Sequence, residues 1–298
     1  MHLKLRSKGD NVRELQVALG IKADGIFGRM TEAAVKNFQN KNNMFPDGVA
    51  TPEIQEMLFD IDITTDASER HQVIEPNFLI HKHHLPHGEY VDEQTSKEYL
   101  FLHHTAGNHN PFGTIRDWAT DDRGRIGTQY VIGGIGPNGE ANYDGVIVEA
   151  FPSENWAYHL GRVNKYMHSH SVGIEICNWG WLELRGTLHF NWANHRVPAN
   201  QLCHLKKPFR GYNTYHNYTK KQIESLAKLI PHIANKHGID LRKGLQEWLS
   251  KVDPIHALDF YIDAVSGKTR GLLSHTNVRY DKSDVYPHPD LIKLIKSF

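Results

Sequence analysis

The segment Val172-Gly173-Ile174-Glu175-Ile176-Cys177 constrains this chain most. Side chains alternate along a strand, so Val172, Ile174 and Ile176 form one apolar face and Gly173, Glu175 and Cys177 the other. Such a strand belongs inside a sheet, where a carboxylate is unfavourable unless it is paired or put to use. An ion pair with an arginine would satisfy Glu175 structurally, and a catalytic role would explain it chemically. Gly173 leaves room beside it.

The surrounding chain supplies the rest of a sheet. Tyr99 to His103, Gln129 to Gly133 and Val146 to Phe151 read as strands, and Pro137-Asn138-Gly139 as a turn. Pro111 to Ala119 and the run opened by Tyr218-Thr219 read as helices, the latter with Ile223, Leu226, Leu229 and Ile230 on one side. Interleaved elements of both types predict an α/β domain: a central mixed sheet flanked by helices, over residues 96–298. Residues 179–217 are rich in aromatics and histidine without a sustained period, and residues 240–270 suit a helix and a hairpin. Both read as insertions near the site.

The start of the chain is different. Val12, Leu15 and Leu19 stand at helical spacing, and Asp24-Gly25 and Asp47-Gly48 are turn signals. Thr31 reads as the cap of a second helix carrying Ala34, Val35 and Phe38, and Pro52 after Thr51 opens a third. A small three-helix bundle over residues 1–60 is the expectation, with residues 61–95 as linker and approach.

Composition excludes some functions. The 298 residues carry no net charge, so nothing argues for nucleic acid as a partner. No apolar run is long enough to span a membrane, and the first residues lack the apolar core of a signal peptide. The expectation is a protein made in a cytoplasm. Cys177 and Cys203 are too few for a disulfide framework and read as free thiols. The cluster His81-Lys82-His83-His84-Leu85-Pro86-His87 reads as an irregular loop despite its metal-binding composition.

Three segments together hold the groups a metal needs. His103 and His104 end one strand on opposite faces, and the pattern leaves open which faces a cavity. His275 and Asp284 bracket a polar loop in which Asp281 is a rival ligand, and Lys282 stands two residues before Asp284. Two imidazoles and a carboxylate can hold zinc with a position left for water.

Two resemblances sharpen this reading. Leu15-Gln16, Asp24-Gly25-Ile26-Phe27-Gly28, Thr31, Ala34-Val35, Phe38-Gln39 and Asp47-Gly48 resemble the peptidoglycan-binding domain that accompanies many cell-wall hydrolases. Val49-Ala50 departs from the usual continuation of the second turn. Residues 97–290 resemble the zinc-dependent N-acetylmuramoyl-L-alanine amidase family, which includes phage lysozyme-type amidases and animal peptidoglycan recognition proteins. That resemblance implies His103, His275 and Asp284 as zinc ligands, with His104 turned away. Gly173-Ile174-Glu175 and Lys282-Ser283-Asp284 match the branch in which the glutamate is the general base and the lysine stabilises the tetrahedral intermediate. Thr128 replaces a tyrosine used in other branches, which leaves the base role to Glu175. Tyr158-His159-Leu160-Gly161 resembles a segment lining the substrate cleft, so His159 and Thr128 are candidate substrate contacts. The implied protein is a monomeric phage endolysin that needs Zn2+, binds bacterial peptidoglycan and acts on the wall after release. The alternative is a peptidoglycan-recognition protein without catalysis, which typically lacks a metal ligand.

Overall fold

The computed structural model describes residues 2–19, 21–42, 44–59, 78–107 and 109–298, apart from the side chains of Lys41, Glu56 and Phe59. The chain divides into two compact units, residues 1–82 and 83–298. Most of the expected linker, residues 60–77, lies outside the described residues.

The first unit contains α1 (Asp10–Ala18), α2 (Arg29–Lys41) and α3 (Pro52–Phe59). Its core is Leu3, Val12, Leu15, Phe27, Val35, Ala50, Ile54 and Leu58. A buried glutamine clamps each Asp-Gly turn. Gln16 donates to Asp24 Oδ1 at 2.8 Å and to Ile26 O at 3.1 Å, and accepts from Gly25 N at 2.8 Å. Gln39 repeats the pattern with Asp47 Oδ1 at 2.7 Å, Val49 O at 3.1 Å and Gly48 N at 2.9 Å. Gly25 and Gly48 take φ of 74° and 78°, the left-handed conformation these turns require. Thr31 does not cap α2. The helix starts at Arg29 after Gly28, and the Thr31 hydroxyl instead meets Gln16 Nε2 at 3.0 Å.

In the second unit the central sheet contains β1 (Tyr99–His104), β2 (Tyr130–Ile132), β3 (Ile147–Glu149), β4 (Ser171–Ile176) and β5 (Gly271–Ser274). Their order across the sheet is β3-β2-β4-β1-β5. Neighbours run parallel except the antiparallel pair β2–β3, so the sheet is mixed. Every residue of β1 and β4 is buried, as expected of strands covered on both faces. α4 (Pro111–Trp118) begins under an Asn110 cap. α5 (Lys220–His237) opens on a reciprocal Thr219–Gln222 capping box and ends at Gly238 with φ of 68°. Gln222 also donates to Cys177 O at 2.8 Å, tying the start of α5 to the end of β4.

The two awkward stretches resolve differently. Residues 183–197 form a three-stranded antiparallel sheet, and Leu202–Phe209 pairs with Tyr212–His216 in a hairpin. Residues 240–270 hold three short helices, Leu245–Leu249, Pro254–Ala257 and Ile262–Val265, with no hairpin, which corrects the expectation there. Among the described residues, no helix is long and apolar enough to cross a membrane.

Candidate active site

The site lies at the carboxyl ends of the parallel strands, the edge where open α/β sheets place their ligands. Register makes it. His103 of β1 pairs with Glu175 of β4, and Glu175 pairs in turn with Val131 of β2. Register partners share a face, so His103 and Glu175 project to the same side. On the other flank Ser274 pairs with Leu102, which brings His275 level with His103.

His275 then leaves the sheet in a one-turn helix, α6 (His275–Val278). Ser274 and Asn277 form a capping box there, and Asn277 donates to Ala257 O at 3.0 Å and Asp259 O at 2.8 Å. The short helices of residues 240–270 therefore hold the turn that aims His275.

His103 Nδ1 lies 3.1 Å from His275 Nδ1 and 3.5 Å from Asp284 Oδ2, and His275 Nδ1 lies 3.0 Å from Asp284 Oδ2. These three residues are buried, and among the described residues they form the one histidine, cysteine and carboxylate group compact enough to hold a metal ion. Tetrahedral ligands at about 2.0–2.1 Å from zinc stand about 3.3 Å apart, so the spacing fits. The chemistry fits as well. Burial holds the His103 imidazole down to about 4, which leaves it neutral near pH 7. Burial opposes ionisation of Asp284, but the His275 and His103 imidazoles beside it hold its carboxyl well below the usual range. A neutral His103 and an ionised Asp284 are the protonation states that metal binding requires of them.

Two neighbours are set aside. The His104 ring meets Tyr218 Oη at 2.9 Å. Asp281 is exposed and held by Arg279 at 2.7 and 2.6 Å.

A cavity of about 280 Å3 opens over the cluster. Glu175, Lys282, Thr128, His159 and Asp284 all line it. Glu175 has no hydrogen bond or ion pair among the described residues, so the arginine that would have explained it structurally is not its partner. Burial, with the charge of Asp284 adding and that of Lys282 opposing, raises its carboxyl well above the ordinary value. Thr128 spends its hydroxyl on Tyr130 O at 3.0 Å. His159 has both ring nitrogens engaged, Nδ1 with His103 Nε2 at 2.9 Å and Nε2 with Ser171 Oγ at 2.7 Å.

Sequence reasoning did not single out Ser171 or His168. His168 accepts from the backbone of His159 and Leu160 at 3.1 and 3.3 Å. The only signal was a surplus of histidine between Tyr166 and Ser171. Cys177 packs against Thr114 Oγ1 at 3.7 Å outside the cavity lining, and burial pushes its thiol up. Both cysteines are free and buried.

An open α/β sheet with imidazoles and carboxylates gathered at its carboxyl edge has the architecture of a ligand-binding site. Residues 93–284 match the family described as N-acetylmuramoyl-L-alanine amidase, and the chain belongs to that family. Residues 8–58 match a peptidoglycan binding domain. The protein is thus an N-acetylmuramoyl-L-alanine amidase preceded by a segment similar to a peptidoglycan-binding domain. Thirteen chains of solved structures are similar to it. One, a mutant of PlyL, is 10% identical, with a TM-score of 0.42 over 74% of this chain and 100% of the other. The endolysin N-acetylmuramoyl-L-alanine amidase LysCS from Clostridium intestinale URNW is 15% identical, with a TM-score of 0.36 over 73% of this chain and 93% of that one. The E. coli amidase AmiD, in complex with an anhydro-muramyl peptide, is 17% identical, with a TM-score of 0.32 over 51% and 48%. A search of curated proteins gives no match.

Proposed function

We propose that this amidase is a zinc-dependent endolysin. It cleaves the amide between the lactyl group of N-acetylmuramic acid and L-alanine of the stem peptide, with zinc held by His103, His275 and Asp284. The observation that carries this reading is the meeting of those three ligand atoms, within 4.8 Å of one another, beneath a cavity that also contains an unpaired Glu175. Zinc, when bound, supplies Lewis acidity to the scissile carbonyl and to water. Glu175 takes the proton from the attacking water as the new C–O bond forms. It returns that proton to the departing amine as the C–N bond breaks, leaving a lactyl carboxyl group and a free L-alanine amine, and the carboxyl proton passes to the amine to give carboxylate and ammonium. The Lys282 ammonium faces the negative charge that builds on the carbonyl oxygen. Thr128 forms part of the wall against which the substrate lies.

Residues 1–60 would bind the wall, residues 61–95 connect, and residues 96–298 catalyse. A wall-binding module suits an enzyme that meets the intact wall after release from the host cytoplasm, as a monomer, rather than one that recycles soluble fragments. The test is mass spectrometry of purified peptidoglycan digested by the wild type and by Glu175→Ala. Peptides beginning with free L-alanine, released by the wild type alone, are the expected result. Wall binding with every stem peptide still attached would overturn the reading in favour of recognition without cleavage.

A further inference from the structure

The histidine beside the ligands has no role in the proposed chemistry, yet its hydrogen bonds run in one direction. Ser171 Oγ donates to His168 O at 3.2 Å. A hydroxyl carries one hydrogen, so with that hydrogen on the His168 carbonyl its contact with His159 Nε2 at 2.7 Å is one in which the imidazole donates. A neutral imidazole has a single N–H, which makes His159 Nδ1 an acceptor. The group 2.9 Å from it, His103 Nε2, must then be the donor. That leaves the lone pair of His103 on Nδ1, the atom facing His275 and Asp284.

The surroundings keep this chain of contacts in place. His168 Nδ1 anchors the backbone at His159 and Leu160, and His168 Nε2 meets Gly161 O at 3.2 Å, so the segment bearing His159 is fixed from two sides. Gly173 makes the approach possible, because a Cβ there would sit 2.7 Å from Thr128 Cγ2 and 3.1 Å from His159 Nδ1.

We infer that His159 is a positioning residue: with Ser171 and the His168 carbonyl it locks His103 in the Nε2–H tautomer and orients its Nδ1 toward the metal. This rests on the zinc reading of the site. It assigns His159 to ligand geometry rather than to substrate, since neither ring nitrogen is left for a substrate group. Partners of this kind typically change metal affinity by about 10–100-fold when removed.

The experiment compares wild type, His159→Leu, His159→Asn and Ser171→Ala in the full chain. Zinc affinity is measured by competition with a chromophoric chelator, and the His103 tautomer by 15N NMR of the zinc-free protein. His159→Leu should lose about 10–100-fold in zinc affinity and mix the His103 tautomers. His159→Asn, whose Oδ1 can accept from His103 Nε2–H, should recover most of both. Ser171→Ala should move both readouts in the same direction as Leu but less far, and it decides the matter if His159→Leu fails to fold. Unchanged zinc affinity and an unchanged Nε2–H tautomer in the folded variants would overturn the inference. A wild type that takes no zinc would refute the metal reading instead, and the zinc-free tautomer would still decide the role of His159.

Discussion

Replacing Glu175 by Gln should remove activity and make the second unit more stable. Glu175 is 9% exposed with no hydrogen-bond or ion-pair partner among the described residues, and burial raises its carboxyl well above the ordinary value of 4.5. Because the folded state holds this proton more tightly than the unfolded chain, stability falls as pH rises from 4.5 through the raised value. Above that value the full burial penalty is present. The amide has nearly the same shape and carries no charge, but it is still an unpaired polar group, so the variant escapes only the part of the penalty due to charge. Leaving a buried polar group unpaired costs roughly 1–3 kcal/mol, and more when it is charged. An excess of about 1 kcal/mol for the charge is an increase of roughly 2–4 °C in Tm for a unit of this size. The assay is thermal unfolding of chelator-treated protein at pH 5 and pH 8, followed by wall hydrolysis with zinc restored. The gain should be larger at pH 8, and turnover should fall about 10²–10⁴-fold, the range for loss of a general base. A Tm below wild type at pH 8 would refute the unpaired-carboxylate reasoning, and near wild-type turnover would refute the base assignment.

Asp284→Ala should lower zinc content far below one equivalent, whereas Asp281→Ala, which only frees Arg279, should retain it; metal analysis of the two purified variants separates the rival ligands. Gly173→Ala introduces a methyl 2.7 Å from Thr128 Cγ2, and overpacking of this kind should lower stability by about 1–3 kcal/mol, read as a shift of the urea midpoint. Gln39→Leu strips the clamp from the Asp47-Gly48 turn and leaves Gly48 N and Val49 O without their side-chain partner. It should destabilise the first unit by about 1–3 kcal/mol, and limited proteolysis should cut there while the second unit stays intact.

What was legible in the sequence follows from the range of the interactions. Alternation placed Glu175 on a polar face of an inner strand because that depends on the strand alone. It could not choose between His103 and His104, since the choice is made by the β1–β4 register and by Tyr218, a residue distant in sequence. Asp281 and Asp284 looked alike until Arg279 was seen to claim the former. The sheet of residues 183–197 carried no period because its strands are half-exposed, so both faces tolerate polar groups. The helices of residues 240–270 have four or five residues each, too short to show a helical stripe. Thr31 carried the chemistry of a cap, but a buried glutamine from α1 claimed its hydroxyl.

His103 and His275 touch across 172 residues of chain. Closing so long a loop is a slow, late event in folding, and local propensity contributes little to it. The centre is therefore complete only once β5 has paired with β1. A chain stalled before β5 would display the strands, the glutamate and the cavity floor without a working centre. Hydrolytic activity in this protein consequently reports completed folding of the whole second unit. An ion clasped at His103 and His275 would act on the finished fold as a removable cross-link.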